Sequence, residues 1–146
     1  MRVLFVCTHN SARSIMAEAL LRHHGGRDFE AFSAGTEPGE VRPLTLRVLQ
    51  EASVDASGAR SKSVDELLGQ PFDYVITVCD QARDACPVIP GSHRTLHWSM
   101  PDPSAAGGTE EQRLAAFRRV FKEIEGRVAQ LVATARQASA AEPPTA

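Results

Sequence analysis

The sequence has few cysteines and few aromatic side chains, and neither sign of charge dominates it. Its 146 residues include three Cys, one Trp and one Tyr, and the formal net charge is -2 at pH 7. This balance argues against a nucleic-acid-binding protein, because contacts to phosphates need an excess of Lys and Arg. In the cytosol, where we expect this protein and where thiols are kept reduced, three cysteines do not form a static disulfide framework. They are therefore either packing residues or reactive groups.

Long apolar runs are absent as well. The stretch Val3-Leu4-Phe5-Val6 is too short for the core of a signal peptide, and no stretch reaches the roughly 20 residues of a membrane span. We therefore expect a cytoplasmic protein without membrane contact, in a compartment that keeps thiols reduced. The length suits one domain with a buried core. We place this domain at residues 1–136 and expect the Ala-, Pro- and Ser-rich residues 137–146 to form a disordered tail.

Short apolar strands alternate with helices along the chain, which predicts an α/β fold with a parallel sheet flanked by helices on both faces. Ligands of such sheets bind outside the carboxyl ends of the strands. Cys7, Cys79 and the loop after Trp98 all fall at such ends, so we expect them to share one site. We predict strands at 2–6, 29–34, 73–78 and 95–98, helices at 14–24 and 43–52, and a short helical piece at 64–68.

Two helices carry clear patterns. In the helix that begins at Pro43, Leu46 and Leu49 are predicted to face inward. Thr109 and Gln112 form a capping-box pattern before the last helix. The apolar positions of that helix recur at helical spacing and are Leu114, Phe117, Phe121, Ile124, Val128 and Leu131.

The segment Cys7-Thr8-His9-Asn10-Ser11-Ala12-Arg13-Ser14, here named the Cys7 loop, joins the first strand to the first helix. A short loop that runs into a helix N-terminus directs several backbone N–H groups at one point, which suits a tetrahedral oxyanion. Arg13 can hold two oxygens of that anion at once. The same positive field favours the thiolate form of Cys7, and Ser14 can donate a hydrogen bond to the sulfur. The alternative is a buried Cys beside a surface Arg.

Cys79 and Cys86 are seven residues apart. If the segment between them is helical, the two residues lie about 10 Å apart along the axis, whereas a disulfide needs Cα atoms within about 7 Å. A reversible disulfide here therefore requires the segment to unwind. Two alternatives compete with it. Both cysteines can be packing residues, or they can bind zinc together with His93 and His97, although six residues between the cysteines is wider than zinc fingers use.

The Cys7 loop resembles that of the low-molecular-weight protein tyrosine phosphatases and of the arsenate reductases that share their fold. Met16-Ala17-Glu18 and Ser33-Ala34-Gly35 also match this family, and the resemblance covers nearly the whole chain up to the last helix. It implies a four-stranded parallel sheet. It also implies that Asp102, in the sequence Pro101-Asp102-Pro103, is a general acid that protonates the departing oxygen. The alternative for Asp102 is an ordinary turn residue before a proline.

The segment from Cys79 to Cys86 resembles the redox segment of the thioredoxin-coupled arsenate reductases. The resemblance implies that Cys7 attacks arsenate, that Cys79 then attacks Cys7, and that Cys86 moves the disulfide to Cys79–Cys86, where thioredoxin reduces it. Phosphate and sulfate would bind as analogues of arsenate. In the phosphatases an aromatic residue usually follows the Asp-Pro, whereas Ser104 follows it here. This difference points away from a protein phosphatase. Two alternatives to the reductase stay open, a low-molecular-weight phosphatase whose extra cysteines guard against oxidation and a non-catalytic anion-binding or redox-sensing domain that uses the same loop.

Some members of the family bind a structural potassium ion through an Asn, a Glu, a Ser and an Asp. Asn10, Glu18 and Ser33 match the first three positions, and Lys62 stands at the fourth. An ammonium group there would replace the ion, so we predict no potassium requirement. Where the family loop commonly has Gly and Cys, this chain has His9 and Ala12, and we expect His9 to point to solvent. We expect no cofactor, no metal, and a monomeric protein.

Overall fold

The computed structural model describes residues 1–79 and 93–141, with side chains up to residue 138. Four strands form one parallel sheet in the order β2-β1-β3-β4. The elements are β1 (Arg2–Cys7), α1 (Arg13–Gly25), β2 (Glu30–Gly35), α2 (Pro43–Glu51), β3 (Tyr74–Thr77), β4 (Arg94–His97) and α3 (Glu110–Ala141), with 3-10 helices at Gly26–Asp28, Val64–Leu67 and Pro103–Ala105. This architecture confirms the predicted α/β fold with a four-stranded parallel sheet flanked by helices.

The register of the sheet brings the carboxyl ends of the strands together. Cys7 at the end of β1 pairs with Gly35 at the end of β2, and Thr77 at the end of β3 pairs with His97 at the end of β4. Cys79 follows two residues after Thr77. Because parallel strands end on one side of a sheet, the two cysteines lie at the same edge.

The helix α1 is buried on more than one face. Every residue from Ser14 to Leu21 is buried, because α1 packs against β1 and β2 on one side and against α3 on the other. The buried surface includes polar side chains, Ser14 and Glu18 among them, and both belong to the site described below.

Leu46 was predicted to face inward, and this prediction is wrong, since Leu46 is 41% exposed. Leu49, which was also predicted to face inward, is buried, and Thr45 and Val48 are buried beside it. Positions three and four residues apart share one face of a helix, so once Val48 and Leu49 are inside, Thr45 is inside with them. The polar Thr45 therefore takes a core position that apolar patterning does not reveal.

The last helix begins as predicted. Thr109 N–H donates to Gln112 Oε1 at 2.9 Å and Gln112 N–H donates to Thr109 Oγ1 at 3.2 Å, which completes the capping box. All six apolar positions predicted for the inner face of α3 are buried. The helix continues to Ala141, so residues 137–141, predicted to be tail, are helical. Within the described residues, no helix combines the length and the apolar character needed to cross a membrane.

Candidate active site

The Cys7 sulfur lies at the bottom of the Cys7 loop. The residue Cys7 is buried, with 3% of its surface exposed. It is 2.8 Å from Ser14 Oγ, and the backbone N–H of Asn10 donates to it at 3.1 Å. These contacts place two polar hydrogens near the sulfur. A sulfur in this setting is suited to act as a thiolate nucleophile.

Asn10 organises the loop through both its backbone and its side chain. Its φ of 50° lies in the left-handed region, which Asn tolerates better than most residues. Its Oδ1 accepts from the backbone N–H of Lys62 at 2.9 Å, so its Nδ2 points to Ser14 Oγ at 2.8 Å. Because Ser14 Oγ accepts this hydrogen, its own hydrogen is available for Cys7 Sγ. The orientation of Ser14 is thus set by a residue 48 positions away.

Gly35 permits the close approach of β2 to the Cys7 loop. A Cβ at this position would lie 2.6 Å from the Thr8 carbonyl oxygen and 3.0 Å from Asn10 N. Both are backbone atoms, which cannot move aside as a side-chain end can. Steric exclusion of a side chain therefore explains why the motif Ser33-Ala34-Gly35 ends in glycine.

Arg13 begins α1 and connects the Cys7 loop to the segment after β4. Its Nη1 donates to the Met100 carbonyl oxygen at 3.0 Å, and its Nη2 lies 3.9 Å from Asp102 Oδ2. Among the described residues, no side chain caps the N-terminus of α1, where Ala12 is the N-cap. A guanidinium and a helix N-terminus directed at one place are suited to bind a tetrahedral oxyanion.

Asp102 stands at the rim of this site with its side chain 41% exposed. Its Oδ1 accepts from the Ser104 N–H at 2.9 Å and so caps the 3-10 helix Pro103–Ala105. Asp102 therefore does stabilise a turn through one carboxylate oxygen. Its other oxygen, Oδ2, faces Arg13, so the same carboxylate both stabilises the turn and faces the site.

Cys79 is 5% exposed and lies next to the Cys7 loop. Its Sγ is 3.3 Å from Thr8 Oγ1, and Thr8 itself is buried. The structure thus brings the second cysteine to the loop that holds the first. Cys86 lies outside the described residues.

An ion-pair cluster around the buried Glu18 carboxylate lies behind the loop. Lys62 Nζ is 3.9 Å from Glu18 Oε1 and 3.4 Å from Ser33 Oγ, and it donates to the Arg60 carbonyl oxygen at 3.1 Å. Ser33 Oγ donates to Glu18 Oε2 at 3.1 Å, and Arg22 Nη2 lies 3.3 Å from Glu18 Oε1. The Lys62 ammonium group therefore lies beside both Glu18 and Ser33.

Burial acts on both members of this pair. It raises the pKa of Glu18 above 4.5, although Lys62 and Arg22 oppose the rise. It lowers the pKa of Lys62 below 10.5, although Glu18 opposes the fall. Desolvation disfavours the charged form of each group, which gives the two shifts their opposite directions.

The remaining loop residues surround the same point. His9 is exposed, as expected, and its Nδ1 lies 3.0 Å from the Glu37 carbonyl oxygen. Ser11 and Ala12 are buried.

The zinc alternative is not supported, because His93 precedes β4 and His97 ends it, about 13 Å away along an extended strand. Among the described residues, no cluster of three metal-binding side chains occurs.

Sequence reasoning missed two residues that support the loop from outside. Thr45 Oγ1 donates to the Ser11 carbonyl oxygen at 2.8 Å, and Ser61 Oγ donates to the His9 carbonyl oxygen at 2.9 Å. Neither belongs to a recognisable motif. The polar Thr45 between Leu44 and Leu46 was the only local signal, and helical periodicity alone does not assign it to the interior.

Comparison with known proteins places this site in a family. The family model described as low molecular weight phosphotyrosine protein phosphatase matches residues 2–141. An arsenate reductase of Halalkalibacterium halodurans is 39% identical over 126 residues, which are 86% of this chain and 91% of that protein. The crystal structure of arsenate reductase from Archaeoglobus fulgidus is 37% identical with a TM-score of 0.73, and the match covers 90% of this chain and 98% of that one.

A thioredoxin-dependent arsenate reductase of Corynebacterium glutamicum is 34% identical with a TM-score of 0.74. That match covers 94% of this chain and 62% of the Corynebacterium chain. The chain belongs to the low-molecular-weight phosphotyrosine protein phosphatase family, among the arsenate reductases that share its fold.

Proposed function

We propose that this protein reduces arsenate to arsenite, a step of arsenic detoxification, with Cys7 as the first nucleophile. Arsenate binds to the backbone N–H groups of the Cys7 loop and to Arg13, and phosphate or sulfate occupies the same place as an analogue. The Cys7 thiolate forms a bond to arsenic while a hydroxide leaves. Asp102 protonates this hydroxide so that it departs as water, since hydroxide is otherwise a poor leaving group.

Cys79 performs the second step. Its thiolate attacks Cys7 Sγ, a Cys7–Cys79 disulfide forms, and the sulfur–arsenic bond breaks with both electrons moving to arsenic. Arsenic(V) thereby becomes arsenic(III), which leaves as arsenite. The observation that carries this proposal is the contact of 3.3 Å between Cys79 Sγ and Thr8 Oγ1, because it brings a second buried cysteine to the Cys7 loop. A phosphatase needs only the first cysteine.

Cys86 completes the relay in our proposal. Its thiolate attacks Cys79, the Cys7 thiolate is released, and the disulfide moves to Cys79–Cys86. A dithiol partner then reduces this disulfide by exchange. We assign thioredoxin to this role, because the related Corynebacterium reductase is thioredoxin-dependent. No cofactor takes part in any of these steps.

We propose that Lys62 replaces a structural cation beside Asn10, Glu18 and Ser33. The distances from Lys62 Nζ to Ser33 and Glu18 support this role, because an ammonium group there supplies the positive charge that Glu18 requires. Because the Lys62 ammonium group already stands beside Glu18 and Ser33, these residues do not fit a potassium ion in addition. We also expect a cytoplasmic monomer that binds neither nucleic acid nor membranes.

The test is arsenate-dependent oxidation of NADPH in the presence of thioredoxin and thioredoxin reductase. Wild-type protein should turn over repeatedly, whereas Cys86→Ser should release about one arsenite per protein and then stop as a Cys7–Cys79 disulfide, detectable by mass spectrometry. Cys79→Ser should release none. Repeated turnover by Cys86→Ser would exclude the three-cysteine relay.

Phosphoryl transfer is the second candidate, because Cys7, Arg13 and Asp102 together suit a phosphoenzyme as well as a thiol–arsenate adduct. We expect it only as a weak side activity. Tyr74, the one tyrosine, is buried in β3, and Ser104 follows the Asp-Pro, so these two positions supply no aromatic surface for phosphotyrosine. Cleavage of p-nitrophenyl phosphate without any arsenate reduction would reverse this assignment.

A further inference from the structure

Four carbonyl groups of the Cys7 loop are held from outside by one neighbouring segment. This segment, residues 36–42, follows β2 and runs along the outer side of the loop. The donors and acceptors are Thr36 N to Cys7 O at 3.1 Å, Glu37 N to Thr8 O at 2.8 Å, Gly39 N to His9 O at 3.0 Å and Arg42 N to Ser11 O at 3.0 Å.

Holding a carbonyl outward turns the next N–H group inward, because the C=O and N–H of a planar trans peptide point in opposite directions. The peptide between His9 and Asn10 shows this directly. The His9 carbonyl oxygen accepts from Gly39 N and from Ser61 Oγ, and on the inner side the Asn10 N–H donates to Cys7 Sγ. By the same geometry, the Ser11 carbonyl directs the Ala12 N–H toward the centre of the loop.

Two donors hold the Ser11 carbonyl oxygen. One is the Arg42 N–H, and the other is the hydroxyl of Thr45 at 2.8 Å. Thr45 is 0% exposed and lies in the first turn of α2, where its own N–H donates to the Arg42 carbonyl oxygen at 3.0 Å. The start of α2 and the Ser11–Ala12 peptide are therefore joined by a buried side chain.

We propose that Thr45 is a positioning residue for oxyanion binding. Its hydroxyl holds the Ser11 carbonyl away from the centre of the loop and so directs the Ala12 N–H at the bound anion. This inference rests on the proposed function, since it deepens the account of the same anion site. The Thr45 hydroxyl donates to the Ser11 carbonyl oxygen, so it acts on the site through this peptide.

Removal of the hydroxyl should loosen the loop without unfolding the protein. In Thr45→Val the side chain keeps its shape, and the Ser11 carbonyl oxygen keeps the Arg42 N–H as a donor, so no buried acceptor is left unpaired. The Ser11–Ala12 peptide then has more freedom to rotate. The bound anion, which needs a preorganised N–H group, should be affected more than the fold.

The experiment is calorimetric titration of reduced wild type, Thr45→Val and Thr45→Ser with inorganic phosphate, with urea unfolding of each protein in phosphate-free buffer. We expect the Kd of Thr45→Val to rise about 3- to 10-fold, the worth of one hydrogen bond, and Thr45→Ser to stay within about 2-fold of wild type. The KM for arsenate should follow the Kd. Thr45→Ala, which also lacks the hydroxyl, replaces Thr45→Val if the valine variant does not fold.

Three outcomes would overturn the inference. An unchanged Kd in Thr45→Val would exclude a role in anion binding. A Kd raised equally in Thr45→Val and Thr45→Ser would assign the effect to packing of α2 and not to the hydroxyl. Wild type that binds neither phosphate nor arsenate would overturn the proposed function and this inference with it, whereas the first two outcomes leave the proposed function intact.

Discussion

The Thr8 hydroxyl lies 3.3 Å from Cys79 Sγ, so a residue of the Cys7 loop contacts the cysteine that follows β3. Thr8 follows Cys7 in the chain, and Cys79 follows β3, the strand that pairs with β1. The contact therefore depends on the register of two parallel strands. In the proposed relay, this contact gives the Cys7 loop a second task beyond anion binding, which is to hold the sulfur that attacks Cys7.

We expect Thr8→Val to slow arsenate turnover by about 10-fold or more. A hydroxyl that donates to a thiolate stabilises it, and a hydrogen bond to a charged group contributes about 1.5 to 3 kcal/mol. Phosphate affinity should change little, because the backbone N–H groups remain. Steady-state kinetics and phosphate titration check this, with Thr8→Ser as the matched control that keeps the hydroxyl. Equal kcat values for wild type and Thr8→Val would contradict the role of this contact.

Gly35→Ala should disrupt the Cys7 loop. Its Cβ would meet the Thr8 carbonyl oxygen at 2.6 Å, so the loop or the end of β2 must shift. We expect stability to fall by about 1 to 3 kcal/mol and phosphate affinity to fall by about 10-fold or more. Urea unfolding and phosphate titration measure the two effects.

Gly126→Ala is the matched control for this substitution. Gly126 lies within α3, and a Cβ there meets nothing within 4 Å. Alanine should stabilise the helix by about 0.5 to 1 kcal/mol and leave phosphate affinity unchanged. Loss of affinity in this control would show that the assay responds to general changes in stability.

Lys62→Met should destabilise the protein by about 2 to 4 kcal/mol, because it leaves the buried Glu18 carboxylate without one of its two cationic neighbours. The double variant Glu18→Gln with Lys62→Met should cost less than the sum of the two single substitutions. Urea unfolding of the four proteins gives the coupling energy.

Replacing NaCl with KCl at equal ionic strength should not stabilise wild type. A specific gain in KCl would contradict the replacement of a cation by Lys62.

The stability difference between wild type and Glu18→Gln should depend on pH. Burial raises the pKa of Glu18 above 4.5 in the folded protein, so protonation of this carboxyl favours folding. Its contribution is full below pH 4.5 and is lost as the pH rises through the raised pKa. Wild type should therefore lose stability relative to Glu18→Gln as the pH increases from 4.5. Urea unfolding across this range tests the sign, and an opposite slope would contradict the burial effect.

The alternation of apolar segments was enough to predict the strands and helices to within one or two residues at most boundaries. The capping box and the inner face of α3 follow from local spacing, since such patterns depend on residues three or four positions apart. Leu46 shows the limit of this reasoning. Two apolar residues three apart on a helix suggest one buried face, yet the neighbouring elements, not the helix, decide which face is covered.

The Cys7 loop is contiguous in the chain, so its residues and their order are visible in the sequence together with the chemistry that they suit. The supports of the loop are not contiguous. Thr45, Ser61 and the backbone of Lys62 reach it from 34 to 52 residues away in the chain, and a lone threonine or serine carries no signal of the carbonyl that it will contact.

The sequence by itself therefore determined the α/β class, the extent of the Cys7 loop and the family, because each depends on local spacing or on motifs that lie within one segment. Only the tertiary structure decided that Cys79 contacts Thr8, that Ser61 holds the His9 carbonyl, and that Thr45 holds the Ser11 carbonyl. The first contact depends on the register of β1 and β3, and the other two depend on how the segments that carry Thr45 and Ser61 pack against the Cys7 loop. All three therefore depend on distances between segments that no local pattern encodes.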